Sequence, residues 1–172
     1  MAAEIVESIP IVGQFSRFDD RRGSWSRTFQ MGLFRELGLG VAENSVSFTQ
    51  SALTLRGLHS MDESAGEWKL ISCARGEIWD VAVNVRQGSP NFGSYKAFSL
   101  RGDRADWVLI PPGYAHGFIS LTADVVLSYT MSIPFDPSRE VGFRYDDPRF
   151  GIQWPAAPIV VSQKDLSFSF LE

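Results

Sequence analysis

With 172 residues, 44% of them apolar and 21% charged, the chain is long enough for one well-filled domain and short for two. A formal net charge of -4, with arginines spread along the chain, excludes a general nucleic-acid binder and leaves only local anion sites. One cysteine, Cys73, excludes an intrachain disulfide, and no apolar run approaches the roughly 18 residues of a membrane span. The start of the chain, residues 1–7, is acidic and lacks the basic start and apolar core of a signal peptide, so a cytoplasmic protein is expected.

Residues 4–14 hold Ile5-Val6 and Ile9-Pro10-Ile11-Val12, a short strand pattern broken by Pro10. The charged turn and glycine of residues 15–25 suggest a loop, in which Arg21 and Arg22 read by themselves as a solvated turn; residues 25–29 then alternate. Residues 31–38 place apolar side chains at helical spacing and end at Gly38, which predicts one short helix. From residue 45 the pattern is strands: 45–50, 70–74 and 77–85 (separated by Arg75-Gly76, a tight-turn signal), 95–100, 107–110, 118–121 and 125–132. They recur every 8–12 residues or so with Gly, Pro and Asn turns between them, which predicts an antiparallel sandwich or barrel. Breakers after Asp146 exclude a long element there, though residues 159–161 suit a short strand. With no repeat and no linker, one domain over residues 1–172 is expected.

Four constellations carry possible chemistry. His59, one of two histidines, follows the alternating stretch from Thr54, and Lys69 opens the next apolar run. An imidazole that titrates near neutrality can take a proton from a carbon acidified by a ketone, and a lysine facing that ketone oxygen would hold the enolate. The bland alternative is a satisfied core histidine and a surface lysine. Tyr129 sits on the 125–132 strand, where it could return a proton from the other face or simply be a half-buried aromatic. Asp165, in Ser162-Gln163-Lys164-Asp165, could orient the imidazole; taken alone it reads as a cap or surface residue. Pro111-Pro112-Gly113-Tyr114-Ala115-His116, after a strand, turns the chain and points His116 back into a barrel, with the spacing of the second half of a cupin signature. The first half offers only His59, followed by Ser60 and Met61, so the metal-binding cluster of many cupins is incomplete and a metal-free barrel is expected. Cys73, in an apolar stretch, reads as a buried small residue.

Five blocks occur in order: Thr54-Leu55-Arg56-Gly57-Leu58-His59, Gly76-Glu77-Ile78-Trp79-Asp80-Val81-Ala82-Val83, Gly88-Ser89-Pro90-Asn91-Phe92-Gly93, Ile110-Pro111-Pro112-Gly113-Tyr114-Ala115-His116-Gly117-Phe118 and Asp147-Pro148-Arg149-Phe150-Gly151-Ile152-Gln153-Trp154-Pro155. Together they resemble the dTDP-4-dehydrorhamnose 3,5-epimerase family, over about residues 18–165. The resemblance implies a mainly β fold, an antiparallel double-stranded β-helix or jelly-roll cupin barrel with short peripheral helices. In that fold residues 1–50 would be N-terminal strands and a short helix exchanged across a dimer, 51–135 the barrel core and 136–172 a segment closing the site.

It further implies epimerisation at C3, C5 or both of a nucleotide-linked 4-keto-6-deoxyhexose, dTDP-linked in the family's standard case, in deoxysugar biosynthesis. His59 matches the base, Asp165 its carboxylate partner, Lys69 the lysine at the keto oxygen and Tyr129 the proton donor. Arg56, His116, Arg22, Phe135 (an aromatic that stacks on the nucleobase) and Glu140 match substrate-binding positions. No cofactor or metal is implied, and the partners are the nucleotide-diphosphate sugar and a second copy of the chain. Arg22 would serve the neighbour's site.

The sequence departs from the family at Arg27, where an acid is common, and at Glu43 and Ser45, the nearest matches to a Gln-x-Asn pattern. In the family these positions belong to nucleotide recognition, so the resemblance implies retained chemistry with an altered base or sugar. The rivals are a 3,4-ketoisomerase of the same fold, a non-catalytic nucleotide-sugar-binding cupin and a metal-dependent cupin oxygenase.

Overall fold

The computed structural model describes residues 9–172; the strand pattern at Ile5-Val6 lies outside them. Ile11–Gln14 (β1) opens the chain, followed by Arg17–Asp20 (β2) and Gly23–Ser26 (β3). The stretch read as a loop is thus a two-stranded ribbon, with Phe18 opposite Trp25 and the Arg21-Arg22 turn at its tip. The predicted helix is present as Met31–Glu36 (α1), stopped at Gly38 with φ of 70°. It buries Phe34 completely.

The barrel follows. Glu43–Thr49 (β4), Lys69–Arg75 (β6), Asp106–Ile110 (β9) and Val125–Met131 (β11) join β1 in a five-stranded sheet of order β1-β9-β6-β11-β4. Thr54–Met61 (β5), Glu77–Asn84 (β7), Tyr95–Arg101 (β8), Tyr114–Ser120 (β10) and Glu140–Gly142 (β12) form the second sheet, ordered β12-β5-β10-β7-β8, with Val160–Val161 (β13) on β5. All these pairings are antiparallel except β13 with β5. The antiparallel barrel expected from the strand spacing is present.

The Arg75-Gly76 turn also forms, with Gly76 at φ of 80°, but β6 and β7 lie in different sheets. The turn is a corner of the barrel: a Cβ at Gly76 would stand 2.7 Å from Thr122 and Val125 side-chain atoms, so only glycine lets the chain round it.

Alternation sorts the side chains into three apolar layers. Between the sheets lie Ile71, Cys73, Ile78, Ala82, Leu100, Val108, Phe118, Val125 and Leu127. Outside the first sheet, Phe15, Phe34, Trp68, Leu70 and Leu109 pack beneath α1. Outside the second, Leu58, Val81, Val83 and Ala115 are covered by Phe150, Ile152 and Trp154 of the C-terminal stretch. That stretch then forms a five-residue helix, Gln163–Ser167 (α2), capped by Ser162 Oγ accepting from the Asp165 amide at 3.0 Å. Neither α2 nor β12 was legible from the sequence. Burial desolvates Cys73 and pushes its thiol up to about 12, as befits an inert core residue.

Candidate active site

The inward row of each strand changes from apolar to polar toward one end of the barrel, and that change creates the site. On β11 the row reads Val125, Leu127, Tyr129, Met131; on β6, paired with it, Cys73, Ile71, Lys69, with Tyr129 opposite Ile71 and Met131 opposite Lys69. On the second sheet β7 carries Ile78, Asp80, Ala82, and β10 carries Phe118 and His116. Where the apolar members end, a cavity of about 380 Å3 opens, lined by Ser47, Arg56, His59, Lys69, His116, Phe118, Tyr129, Ser162, Lys164 and Asp165. An outer chamber of about 340 Å3 shares Lys69 and Tyr129 with it and adds Glu43, Ser45, Glu67, Met131 and Phe135.

Both histidines stand on carboxylates. His59 Nε2 lies 2.7 Å from Asp165 Oδ1, while Asp165 Oδ2 accepts the Gly57 amide at 3.2 Å. Asp165 is only 2% exposed, which corrects its reading as a cap or surface residue: α2 folds it against β5, where it meets the imidazole. Burial alone would raise its carboxyl, but the bonds from His59, Gly57 and the Ser162 region outweigh this and hold it below the usual carboxylate range. An ionised Asp165 accepts a hydrogen bond from His59 Nε2–H, with Nδ1 on the other side of the ring. His116 Nε2 lies 2.7 Å from Asp80 Oδ2, a carboxylate with no solvent exposure whose other oxygen has no hydrogen-bond partner among the described residues. The two histidines are direct register partners on β5 and β10.

Tyr129 faces them from the first sheet, its ring edge-on to His116 with centroids 6.2 Å apart. Burial pushes its phenol well above the ordinary tyrosine range, with Ser47 and Arg56 offsetting part of the effect, so it stays protonated throughout neutral pH. Lys69 is half-buried rather than a surface residue, its ammonium 3.2 Å from Glu67 Oε2. Arg56 is anchored by Thr49 Oγ1 and the Phe48 carbonyl. Among the described residues no carboxylate pairs with it.

The remaining expected residues are placed less uniformly. Phe135 lies on the outer chamber, half its surface exposed. Glu140 does not line either space; it grips Lys164 through both carboxylate oxygens, at 2.6 and 2.7 Å, and Lys164 lines the cavity instead. Arg22 and Arg27 lie outside this chain's cavity. Arg22 sits at the ribbon tip, 85% exposed and bonded to Asp20, and Arg27 stacks over Trp25 at 5.0 Å. Sequence reasoning missed Asp80, Ser47, Glu67 and Lys164. Asp80 fell within a quoted block and Lys164 beside Asp165, but the signals that matter, alternation on β7 and the Ser162 cap before α2, were not used. Among the described residues no group of three His, Cys, Asp or Glu side chains converges as a metal's ligand set.

A barrel that seats its two histidines on buried carboxylates and sets a phenol across from them groups with the cupin-type isomerases that move protons on carbon. The chain belongs to the dTDP-4-dehydrorhamnose 3,5-epimerase family, whose model matches residues 8–172. It is 38% identical to the dTDP-4-dehydrorhamnose 3,5-epimerase of Sinorhizobium fredii over 154 residues, covering 88% of this chain and 79% of that one. Among solved structures, dTDP-6-deoxy-D-glucose-3,5-epimerase RmlC from Legionella pneumophila, in complex with dTDP-4-keto-L-rhamnose, superposes with a TM-score of 0.84 at 32% identity, over 94% of this chain and 87% of that one. ChmJ, a 3'-monoepimerase from Streptomyces bikiniensis in complex with dTDP-quinovose, gives the same TM-score at 31% identity, over 94% and 83%.

Proposed function

We propose that the protein epimerises a nucleotide-diphosphate-linked 4-keto-6-deoxyhexose at C3, C5 or both, by removing and returning a proton beside the ketone. The supporting observation is the placement of His59 and Tyr129 on opposite sheets of the barrel, both lining the same cavity. Epimerisation needs a base on one face of the sugar ring and an acid on the other, and that arrangement supplies both. His59 Nδ1 takes the proton from carbon, while Asp165 holds the imidazole and stabilises the imidazolium that forms. Lys69 donates to the oxygen on which enolate charge develops. Tyr129, its proton retained by burial, returns a proton from the far side. His116 on Asp80 is a further donor toward the sugar, and Arg56 takes the diphosphate. Phe135 in the outer chamber offers a face for the base.

In this reading catalysis takes place in the cytoplasm, in a homodimer whose partner lends Arg22. The β2–β3 ribbon presents Phe18 and Trp25 at 61% and 55% exposure, and the edge strand β4 presents Val46 and Phe48 at 68% and 54%. Such apolar surface on a ribbon and an open sheet edge favours a covering partner. Light scattering is expected to return twice the chain mass; a monomer at micromolar concentration would remove Arg22 from the scheme.

The functional test is isotope exchange. In deuterated water, wild-type protein is expected to place label at C3, C5 or both of dTDP-4-keto-6-deoxyglucose, read by product NMR. No label from any nucleotide-linked 4-keto sugar would exclude the reading, and carbonyl migration to C3 would replace it with ketoisomerisation. Parallel thermal-shift titration with dTDP, UDP, CDP and GDP reads the base; a clear dTDP preference would show that Glu43, Ser45 and Arg27 do not redirect recognition.

A further inference from the structure

Lys69 occupies a junction, lining both the inner cavity and the outer chamber, and Glu67 stands beside it in the outer one. The pair is sheltered: the lysine side chain is 19% exposed and the glutamate 10%, with Nζ 3.2 Å from Oε2. Glu67 is not on a loose loop. The next residue, Trp68, is buried in the layer beneath α1, and its backbone is pinned both ways to Ser132. The Trp68 amide donates to Ser132 Oγ at 2.9 Å, and the Ser132 amide donates to the Trp68 carbonyl at 3.0 Å. Lys69 itself is locked into β6 between Ile110 of β9 and Met131 of β11. Backbone and carboxylate therefore fix the ammonium from two directions.

A lysine is a flexible point charge with three donors, and one ion pair leaves two of them for a ligand. The pairing also changes the outer chamber, where Glu67 and Glu43 set two carboxylates against one ammonium. Among the described residues Glu43 has no ion-pair partner, and the one ammonium of the chamber is paired with Glu67.

We propose that Glu67 is a positioning residue for Lys69, aiming the ammonium at the substrate carbonyl at the expense of affinity for the anionic diphosphate. The proposal rests on the functional reading above. It makes two effects run in opposite directions when the carboxylate is removed. Glu67 orients the donor for the developing enolate, so its loss slows proton transfer. Glu67 also repels the diphosphate, so its loss strengthens nucleotide binding.

The test is Glu67→Gln, which keeps size and one acceptor but removes charge. Exchange into dTDP-4-keto-6-deoxyglucose is expected to fall about 10-fold in kcat, while dTDP binding, by calorimetry, tightens about 3-fold. Glu67→Asp, which restores the charge, is expected to recover exchange to within about 3-fold of wild type. A structural role alone would weaken both properties together and lower the thermal midpoint, and that result overturns the proposal. So does a variant indistinguishable from wild type in both measurements. Wild-type protein that exchanges nothing removes the underlying functional reading as well, whereas normal wild-type exchange with an unaltered variant removes only the role of Glu67.

Discussion

Replacing His59 by alanine is expected to lower deuterium exchange into the keto sugar by about 1,000-fold, within the range general base catalysis supplies. The reason is geometric. His59 Nε2 is held 2.7 Å from Asp165 Oδ1, and in the proposed scheme Nδ1 accepts the proton. The other imidazole of the cavity, His116, stands on Asp80, buried to 7% exposure, with its ring against Tyr129 and Phe118. It lies beside His59 on the same sheet but is far more deeply buried. His59 is itself about one-third exposed, so truncation removes little packing, but it takes a partner from buried Asp165 and is expected to lower the melting midpoint without unfolding the protein. A cooperative melting curve and unchanged dTDP affinity make the loss of exchange interpretable. Exchange that continues at the wild-type rate assigns the base elsewhere, with His116 the first candidate.

Replacing Tyr129 by phenylalanine separates the two halves of the reaction. Abstraction lies with the opposite sheet, so label is expected to enter the sugar at a rate within about 10-fold of wild type. Delivery of a proton from the far face is lost with the phenol, so the inverted product is expected to fall by about 100-fold, the lower end of what a positioned acid contributes. Desolvation raises the phenol of half-buried Tyr129 above its ordinary range, so its proton is present across neutral pH. The wild-type rate is therefore not expected to fall from ionisation of this group until strongly alkaline pH. Inversion that survives the substitution would require another donor, water or Ser47 among them, on the first sheet's wall of the cavity.

How much of this was legible depended on the distance over which each signal acts. The apolar, alternating character of 70–74, 77–85 and 125–132 is local, and it gave the strands. It does not say which sheet a strand joins: Arg75-Gly76 looked like a tight turn and is one, yet β6 and β7 part company there. Gly38 marked the end of α1 because a left-handed terminus needs no partner elsewhere. Asp165 could not be placed from its neighbours, since its purpose lies at His59, 106 residues away, and only folding of α2 against β5 makes the contact. The resemblance to a family supplied that pairing, while local reading supplied only a plausible cap. Glu140 shows the converse, where a position matched to ligand binding is occupied in gripping Lys164. Arg22 at the ribbon tip and Arg27 just past its end lie outside this chain's cavity, and neither position could be placed from its neighbours in sequence.

The separation of His59 from Asp165 along the chain has a consequence for biosynthesis. As the polypeptide leaves the ribosome, the imidazole emerges long before the carboxylate that steadies it, with most strands of both sheets, β6 to β13, translated in between. A nascent chain can thus form much of its apolar interior before Asp165 is available, and the His59–Asp165 pair assembles only after α2 has docked.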